Sequence, residues 1–561
     1  MASAHHEACA AKRRQRQAQI DASNTLLSSL PVSISPAREL KIHTLPLSQI
    51  VAECSVGALS PKEVLVVYGK KTLEAQRRTN CVSDLLLDEA LRDAEALDCD
   101  LETSDAGSSS AALREYPLLG VPVSIKDTVD VAGRSSTIGL SSRASQLAST
   151  SAPIVRLLRD AGALIYAKTT VPACLFANET VSDLFGRTTN PYSPSHGVGA
   201  SSGGGGALLG CGGSVIEIAT DMAGSARIPA HFCGLYGLKG SAGRFPNAQC
   251  GTSTPGLESV QIVAAPMARS LDDLEEFWKR VVGMRPWLYD FTCVPLPWRP
   301  VDLLLEGRKL KWGVIWDDGI CPPTPACKRA LSIVVQALKC QGHEVVAFTP
   351  PHAAELLTIG NELVFADGGD GIRNAGLPGE QLNRPLAQTL SVLALPRFVK
   401  QLLALATGTP ALASLHRKSV AEERRLVVRR DELRADWHAR WTTDNLDFVL
   451  SAPHPLPALA NGDGDKASLL SVASTFLWNM LDYSAGIMPV TRVDAMVDSL
   501  PRTGKPVNPL WELYDAEGMH GLPVGVQIAG RRMEEEKVLE GMKVIVAAMQ
   551  AAGTQYIASG E

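Results

Sequence analysis

Twice in this chain a run of helical period is closed by a glycine and followed at once by a strand-like run. The first unit is residues 154–161, Gly162 and residues 163–167, and the second is residues 330–338, Gly342 and residues 345–348. Helix alternating with strand predicts an α/β layer structure with a mostly parallel or mixed sheet. A further strand is expected over residues 119–127, where Val121, Val123 and Ile125 share one face and Lys126 falls on the other at the strand's end. Ser60, Pro61 and Glu63 form a helix start with a capping box, after which Leu65, Tyr68 and Leu73 would face a core. Residues 416–441 combine Arg424, Arg425, Arg429 and Arg430 with Leu426, Leu433, Trp437 and Trp441 at helical spacing, the pattern of an amphipathic surface helix. Phe398, Leu402, Leu403, Leu405, Leu412 and Leu415, interrupted by Gly408 and Pro410, are expected in the core or along a substrate entrance. A membrane-touching patch is the alternative for them.

At 561 residues the chain is long enough for several domains. It has no internal repeat, long linker or sharp composition break, so one large domain over residues 60–561 is expected, preceded by an N-terminal helical arm over residues 1–59. Within the arm, Lys12, Arg13, Arg14 and Arg16 are read as a solvated helix face in preference to a nuclear signal. A net charge of −5 gives no basic field for nucleic acid. No run of 18 apolar residues and no secretory leader is found, and the twelve cysteines fit neither a disulfide framework nor a zinc ribbon. A cytoplasmic location is therefore expected.

The chemistry concentrates between Asn190 and Pro246. Gly199-Ala-Ser201-Ser202 runs into four glycines, Gly203 to Gly206, and a strand-like stretch then leads to Asp221-Met-Ala-Gly224-Ser225-Ala-Arg227. Glycine-rich loops expose backbone N–H groups that can bind an anion. No phosphate-loop sequence is present, however, and the dinucleotide fingerprint fails at its last glycine. Gly199-x-Ser201-x-Gly203 matches a hydrolase nucleophile elbow only formally, because residues 190–197 read as a loop where a strand is required. A purely structural glycine turn would leave the paired serines, the second Gly-Ser and the strand-end lysine unexplained. His196 and His231 are read as structural. The Asn461, Asp463, Asp465 spacing lacks the glycine and glutamate of a calcium loop, and His6-Glu7 has no second histidine at zinc-site spacing. No metal or cofactor is implied.

Further blocks stand in order along the chain. They are Gly120-Val-Pro-Val-Ser-Ile-Lys126-Asp127, Ala167-Lys-Thr-Thr-Val-Pro172, Gly186-Arg-Thr-Thr-Asn-Pro191 and Cys233-Gly-Leu-Tyr-Gly-Leu-Lys239. Leu481-Asp-Tyr-Ser-Ala-Gly-Ile-Met-Pro-Val-Thr491 and Gly521-Leu-Pro-Val-Gly-Val-Gln-Ile-Ala-Gly530 follow. On these blocks the chain resembles the amidase signature family, especially its fungal acetamidase-like and fatty-acid-amide-hydrolase-like branches. The resemblance implies a large twisted mixed β-sheet flanked by helices on both faces, and a Ser–cis-Ser–Lys triad that hydrolyses carboxylic amides through an acyl-enzyme. Carried over, Ser225 is the nucleophile, Ser201 the bridging serine and Lys126 the base. Backbone N–H groups of Met222, Ala223, Gly224 and Ser225 form the oxyanion hole beside Ser201, and Ser202, Asp221 and Arg227 support the site.

The chain departs from the family pattern at Ala200, at Ala223, which stands where many relatives have glycine, and at Gly205, where close fungal relatives carry an acid. The expected partner is a small-molecule amide, without nucleic acid. A membrane contact and a homodimer are also admitted. Other readings carried forward are a lipid-amide hydrolase at a membrane surface, a glutaminase subunit for tRNA transamidation, and a non-catalytic binding protein that keeps the fold.

Overall fold

The computed structural model describes residues 3–30, 34–103, 112, 114–303, 307–407, 411–500 and 508–557. In chain order its strands are β1 (Val82–Leu85), β2 (Pro122–Lys126), β3 (Leu164–Thr169), β4 (Val181–Ser182), β5 (Gly186–Arg187), β6 (Ile216–Asp221) and β7 (Tyr236–Lys239). They continue with β8 (Val263–Ala268), β9 (Lys311–Ile315), β10 (Glu344–Ala347), β11 (Phe448–Ser451), β12 (Ala485–Arg492) and β13 (Pro523–Ala529). All but β4 and β5, which pair with each other, join one 11-stranded sheet in the order β1-β3-β2-β6-β8-β7-β12-β13-β11-β9-β10. β2 runs parallel to β3 and β6, and β9 to β10 and β11; the remaining pairs are antiparallel, so the sheet is mixed.

Register decides which residues meet across this sheet. Glu217 on β6 pairs with Met267, Met267 with Gly237, Gly237 with Ile487, and Ile487 with Gln527. That row faces one side, where the helices Gly203–Gly210 and Arg227–Cys233 lie. The neighbouring row, including Ile528, faces the other side and is covered by Glu535–Ala551, whose Gly541 packs directly on Ile528. Helices therefore cover both faces, as expected of the fold class.

The local expectations hold for several elements. Pro61–Thr79 starts with the Ser60 cap and the Glu63 capping box, and Leu65, Tyr68 and Leu73 are buried. The two helix–glycine–strand units are Pro153–Asp160 before β3 and Pro325–Cys340 before β10, with Gly162 and Gly342 at positive φ. Val420–Thr443 buries Leu433, Trp437 and Trp441 and leaves Arg424, Arg425 and Arg440 outward, whereas Arg430 is buried and donates to Ser259 O and half-buried Arg434 donates to Met480 O.

Two expectations need correction. The basic cluster of the N-terminal helix Ala4–Ser29 is only partly solvated: Arg13 and Arg14 are exposed, but Lys12 is buried, donating to Asp84 (3.2 Å) and Ser135 (2.9 Å). Arg13 donates to Leu184 O and Arg16 to Val82 O. His5 adds a hydrogen bond to Ser141 Oγ (2.9 Å) and a close approach to Asp183 (3.1 Å). The packing also has no break at residue 59, since Leu47, Ile50, Val51 and Cys54 enter the main core. The second correction concerns Arg397–Thr407. Phe398, Leu402 and Leu405 are 64%, 62% and 81% exposed, and Leu403 is exposed as well, so they are not core. The chain bends by 117° between Arg384–Ala394 and this helix, which turns the apolar side outward. Gly408 and Pro410 lie outside the described residues. Among the described residues no single helix is long and apolar enough to cross a membrane, although this bent pair is by length and composition.

Candidate active site

Lys126 closes β2 between β3 and β6, with no exposed surface. Its Nζ lies 2.8 Å from Ser201 Oγ, 2.9 Å from Thr220 Oγ1 and 3.3 Å from Thr220 O. An ammonium can donate to all three, whereas in the neutral amine two N–H bonds serve Thr220 and the lone pair is free to receive the Ser201 hydroxyl proton. Burial drives the ammonium down to about 7, against partial support from Asp221 and Glu217. A lysine in this setting is therefore half neutral near neutrality, where an exposed one is almost fully charged.

Ser201 and Ser202 form the turn into Gly203–Gly210, and the Ala200–Ser201 peptide is cis. Ala200 is buried within that turn. The turn is tied to the facing loop by two bonds: Ser202 N donates to Ser225 O (3.0 Å), and Ser202 Oγ to Thr220 O (3.4 Å). Ser225 itself is half-buried, on the loop between β6 and Arg227–Cys233. Among the described residues no side-chain hydrogen bond joins Ser225 Oγ to Ser201 Oγ; Lys126–Ser201 is the link already made.

That loop is held from below by a buried ion pair. Arg227 donates to Asp221 through Nε (3.0 Å) and Nη2 (2.8 Å), and its other bonds reach Gln527 (2.8 Å) and Asn479 (2.6 Å). Burial alone would raise the Asp221 carboxyl, but the Arg227 guanidinium and the N–H of Gly224 hold it well below the usual carboxylate range. Gly224 stands at φ +113°, a conformation open to glycine, and a Cβ there would fall 2.3 Å from Thr475 Oγ1. Thr475 in turn donates to Ala223 O (2.7 Å). One expected oxyanion donor is therefore engaged, because Gly224 N–H is given to Asp221 Oδ1 (2.9 Å). Among the described residues no such bond engages the N–H of Ala223 or Ser225.

The sequence blocks contain Lys126, Ser201, Ser202, Asp221, Ser225 and Arg227, and the fold gathers all six. Thr220, Glu217, Thr475, Asn479 and Gln527 were missed. Of these, Gln527 lies in the quoted block of residues 521–530 without a role assigned to it, and Glu217 carries a signal as a lone charge inside an apolar strand. His231 is structural: Gly525 N donates to its Nδ1 and its Nε2 meets Leu456 O. Met222 and Ala223 of the nucleophile loop are partly buried and pack against a hydrophobic core cluster that includes Phe476, Leu477 and Trp478.

The family model Amidase matches residues 63–539. Fatty-acid amide hydrolase 1 of Sus scrofa is 32% identical over 551 residues, covering 96% of this chain and 91% of that protein. Acetamidase of Emericella nidulans is 32% identical over 517 residues, covering 89% and 88%. A solved fatty acid amide hydrolase superposes with a TM-score of 0.82 at 27% identity, covering 97% of this chain and 95% of its own. The chain belongs to the amidase family. It is an enzyme, a hydrolase of amide bonds.

Proposed function

We propose that this amidase works through a Ser225–Ser201–Lys126 triad and an acyl-enzyme, cleaving a carboxylic amide to an acid and ammonia or an amine. Ser225 Oγ attacks the carbonyl carbon as its proton passes to Ser201, whose own proton passes to Lys126. The oxyanion is stabilised by the loop N–H groups around Ala223 and Ser225; losing one such donor typically costs about 3 kcal/mol. The proton then returns along the same path to the amide nitrogen, the C–N bond breaks, and water releases the acyl group by the reverse sequence. Nothing in this chemistry calls for a metal or cofactor. The observation that carries the reading is the 2.8 Å contact of a fully buried lysine with Ser201. The substrate class we propose is a small or medium carboxylic amide. We place the enzyme in the cytoplasm.

The test is mass spectrometry after exposure to a fluorophosphonate probe, which reacts with activated serines. A single adduct on Ser225 is expected, absent in Ser225→Ala and slowed at least a hundredfold, as an order of magnitude, in Lys126→Ala. Its rate should rise with pH through about 7, because Lys126 is a base only when neutral. An adduct on Ser201 would move the nucleophile to the formal elbow motif, and no adduct at all would defeat the catalytic assignment.

A second reading, a lipid-amide hydrolase at a membrane surface, is favoured by one observation: the outward apolar face of Arg397–Thr407. Its expected outcome is co-sedimentation with liposomes that disappears when Leu402 and Leu403 become glutamate.

A further inference from the structure

β6 carries one acid, Glu217, that the mechanism above leaves unused. It is fully buried and paired in register with Ser124 on β2, so its side chain shares the sheet face of Lys126 and Asp221. The helix Gly203–Gly210 lies on that face, and a Cβ on Gly205 would fall 2.4 Å from Glu217 Cδ. The carboxyl thus fills the volume into which any side chain at 205 would point. The helix supplies no acid there; the strand does.

We propose that Glu217 is a positioning residue for the Lys126 base: its carboxylate stabilises the ammonium formed when Lys126 takes the serine proton, and the bare backbone of Gly205 makes room for it. This rests on the triad reading given above. The other groups facing Lys126 are already committed or neutral. Asp221 is matched by Arg227. Asp127 accepts from Thr137 Oγ1 (2.9 Å) and Ile138 N (2.8 Å), and burial pushes the Cys250 thiol up to about 12. Around Glu217 itself, Cys81 and Tyr166 are kept neutral by burial, and Gly203–Gly210 adds nothing titratable.

Two hydroxyls let Glu217 exist in either charge state. Thr169 Oγ1 donates to Oε1 (2.6 Å) and Ser124 Oγ donates to Oε2. Each also has a backbone carbonyl within reach, Ile125 O at 3.4 Å and Ile216 O at 3.3 Å. A protonated Glu217 can therefore donate to one hydroxyl while that hydroxyl turns to its carbonyl. Burial pushes the glutamate up and the lysine down, each to about 7.

The experiment measures the rate of fluorophosphonate labelling of Ser225 against pH in the full chain. Glu217→Gln keeps the shape and removes the charge. Its half-maximal point should move to lower pH by about one unit, because the ammonium has lost its counter-charge. Its plateau should fall about tenfold. Because a buried change can impair folding, the exchange Gly205→Glu with Glu217→Gly is measured beside Gly205→Glu alone. The single variant crowds two carboxyls into one volume and should lose labelling, whereas the exchange should recover the wild-type rate to within about threefold. A Glu217→Gln profile that superimposes on the wild type, or an exchange no better than Gly205→Glu, overturns the proposal. Lys126→Ala separates the two readings. Wild-type labelling in that variant sinks the triad itself, while its loss alongside an unmoved Glu217→Gln profile sinks only the role of Glu217.

Discussion

Asp221 and Arg227 stand six positions apart in sequence and form the buried pair that shapes the nucleophile loop. Removing one partner leaves an uncompensated buried charge, which typically costs about 3–5 kcal/mol. Arg227→Met should therefore lower the unfolding midpoint clearly and slow labelling of Ser225, since the loop N–H groups lose their anchor. The pH dependence follows from the sign of the shift. Asp221 is depressed in the folded state, so its contribution is complete above about 4 and fades only as pH falls toward its folded value. In Arg227→Met burial dominates and lifts the Asp221 carboxyl above its unfolded value, so protonation relieves the unpaired charge and the variant's deficit relative to the wild type should shrink as pH falls. Midpoints recorded from pH 7 to pH 4 check this; parallel curves would contradict it. Asp221 and Arg227 could be read from the sequence because the motif is contiguous. Asn479 and Gln527, which complete their hydrogen bonding, arrive from 252 and 300 residues away, so no local pattern marks them as partners of Arg227.

Gly203–Gly210 is an odd helix on propensity alone, because each interior glycine costs about 1 kcal/mol relative to alanine. Its close approach to neighbouring backbone explains the choice. A Cβ on Gly204 would lie 2.2 Å from Thr170 N and 2.6 Å from Cys81 O, backbone atoms that cannot turn aside. On Gly206 the nearest atoms are Cys233 Sγ and Pro229 Cβ, both at 3.2 Å. Gly204→Ala should thus destabilise by about 3 kcal/mol or more, while Gly206→Ala, a tight fit offset by better propensity, should stay within about 1 kcal/mol. Denaturant midpoints of the two variants decide it, and equal losses would refute the packing explanation. At this scale the sequence was informative wherever period and punctuation agreed, as at Ser60 and at Gly162 and Gly342. It misled at Phe398 and Leu402, because an apolar helix face looks the same whether a core or open solvent lies against it.

Across the whole molecule, the site draws on β2, β6 and β13, so it joins side chains that stand as far apart in the chain as Lys126 and Gln527. The N-terminal helix is tied to the same sheet. Lys12 looked solvated because its partners, Asp84 and Ser135, lie 72 and 123 residues away, beyond any sequence pattern. Asp84 is also held by Arg134 (3.3 Å) and Gln19 (2.6 Å), and Ser135 O accepts from Lys168 (2.9 Å). Lys12→Met keeps the stem that packs between helix and sheet and deletes only the charge. Asp84 keeps Arg134, so the loss should fall near the low end for a broken buried pair, about 3 kcal/mol. The expected signature is a lower unfolding midpoint with the pH profile of Ser225 labelling unchanged at low temperature, since Lys12 does not contact the triad. Early proteolysis near residue 30, preceding loss of the sheet, would mark the helix as the first part to detach. An unchanged midpoint would instead mean that the basic cluster only rests on the surface.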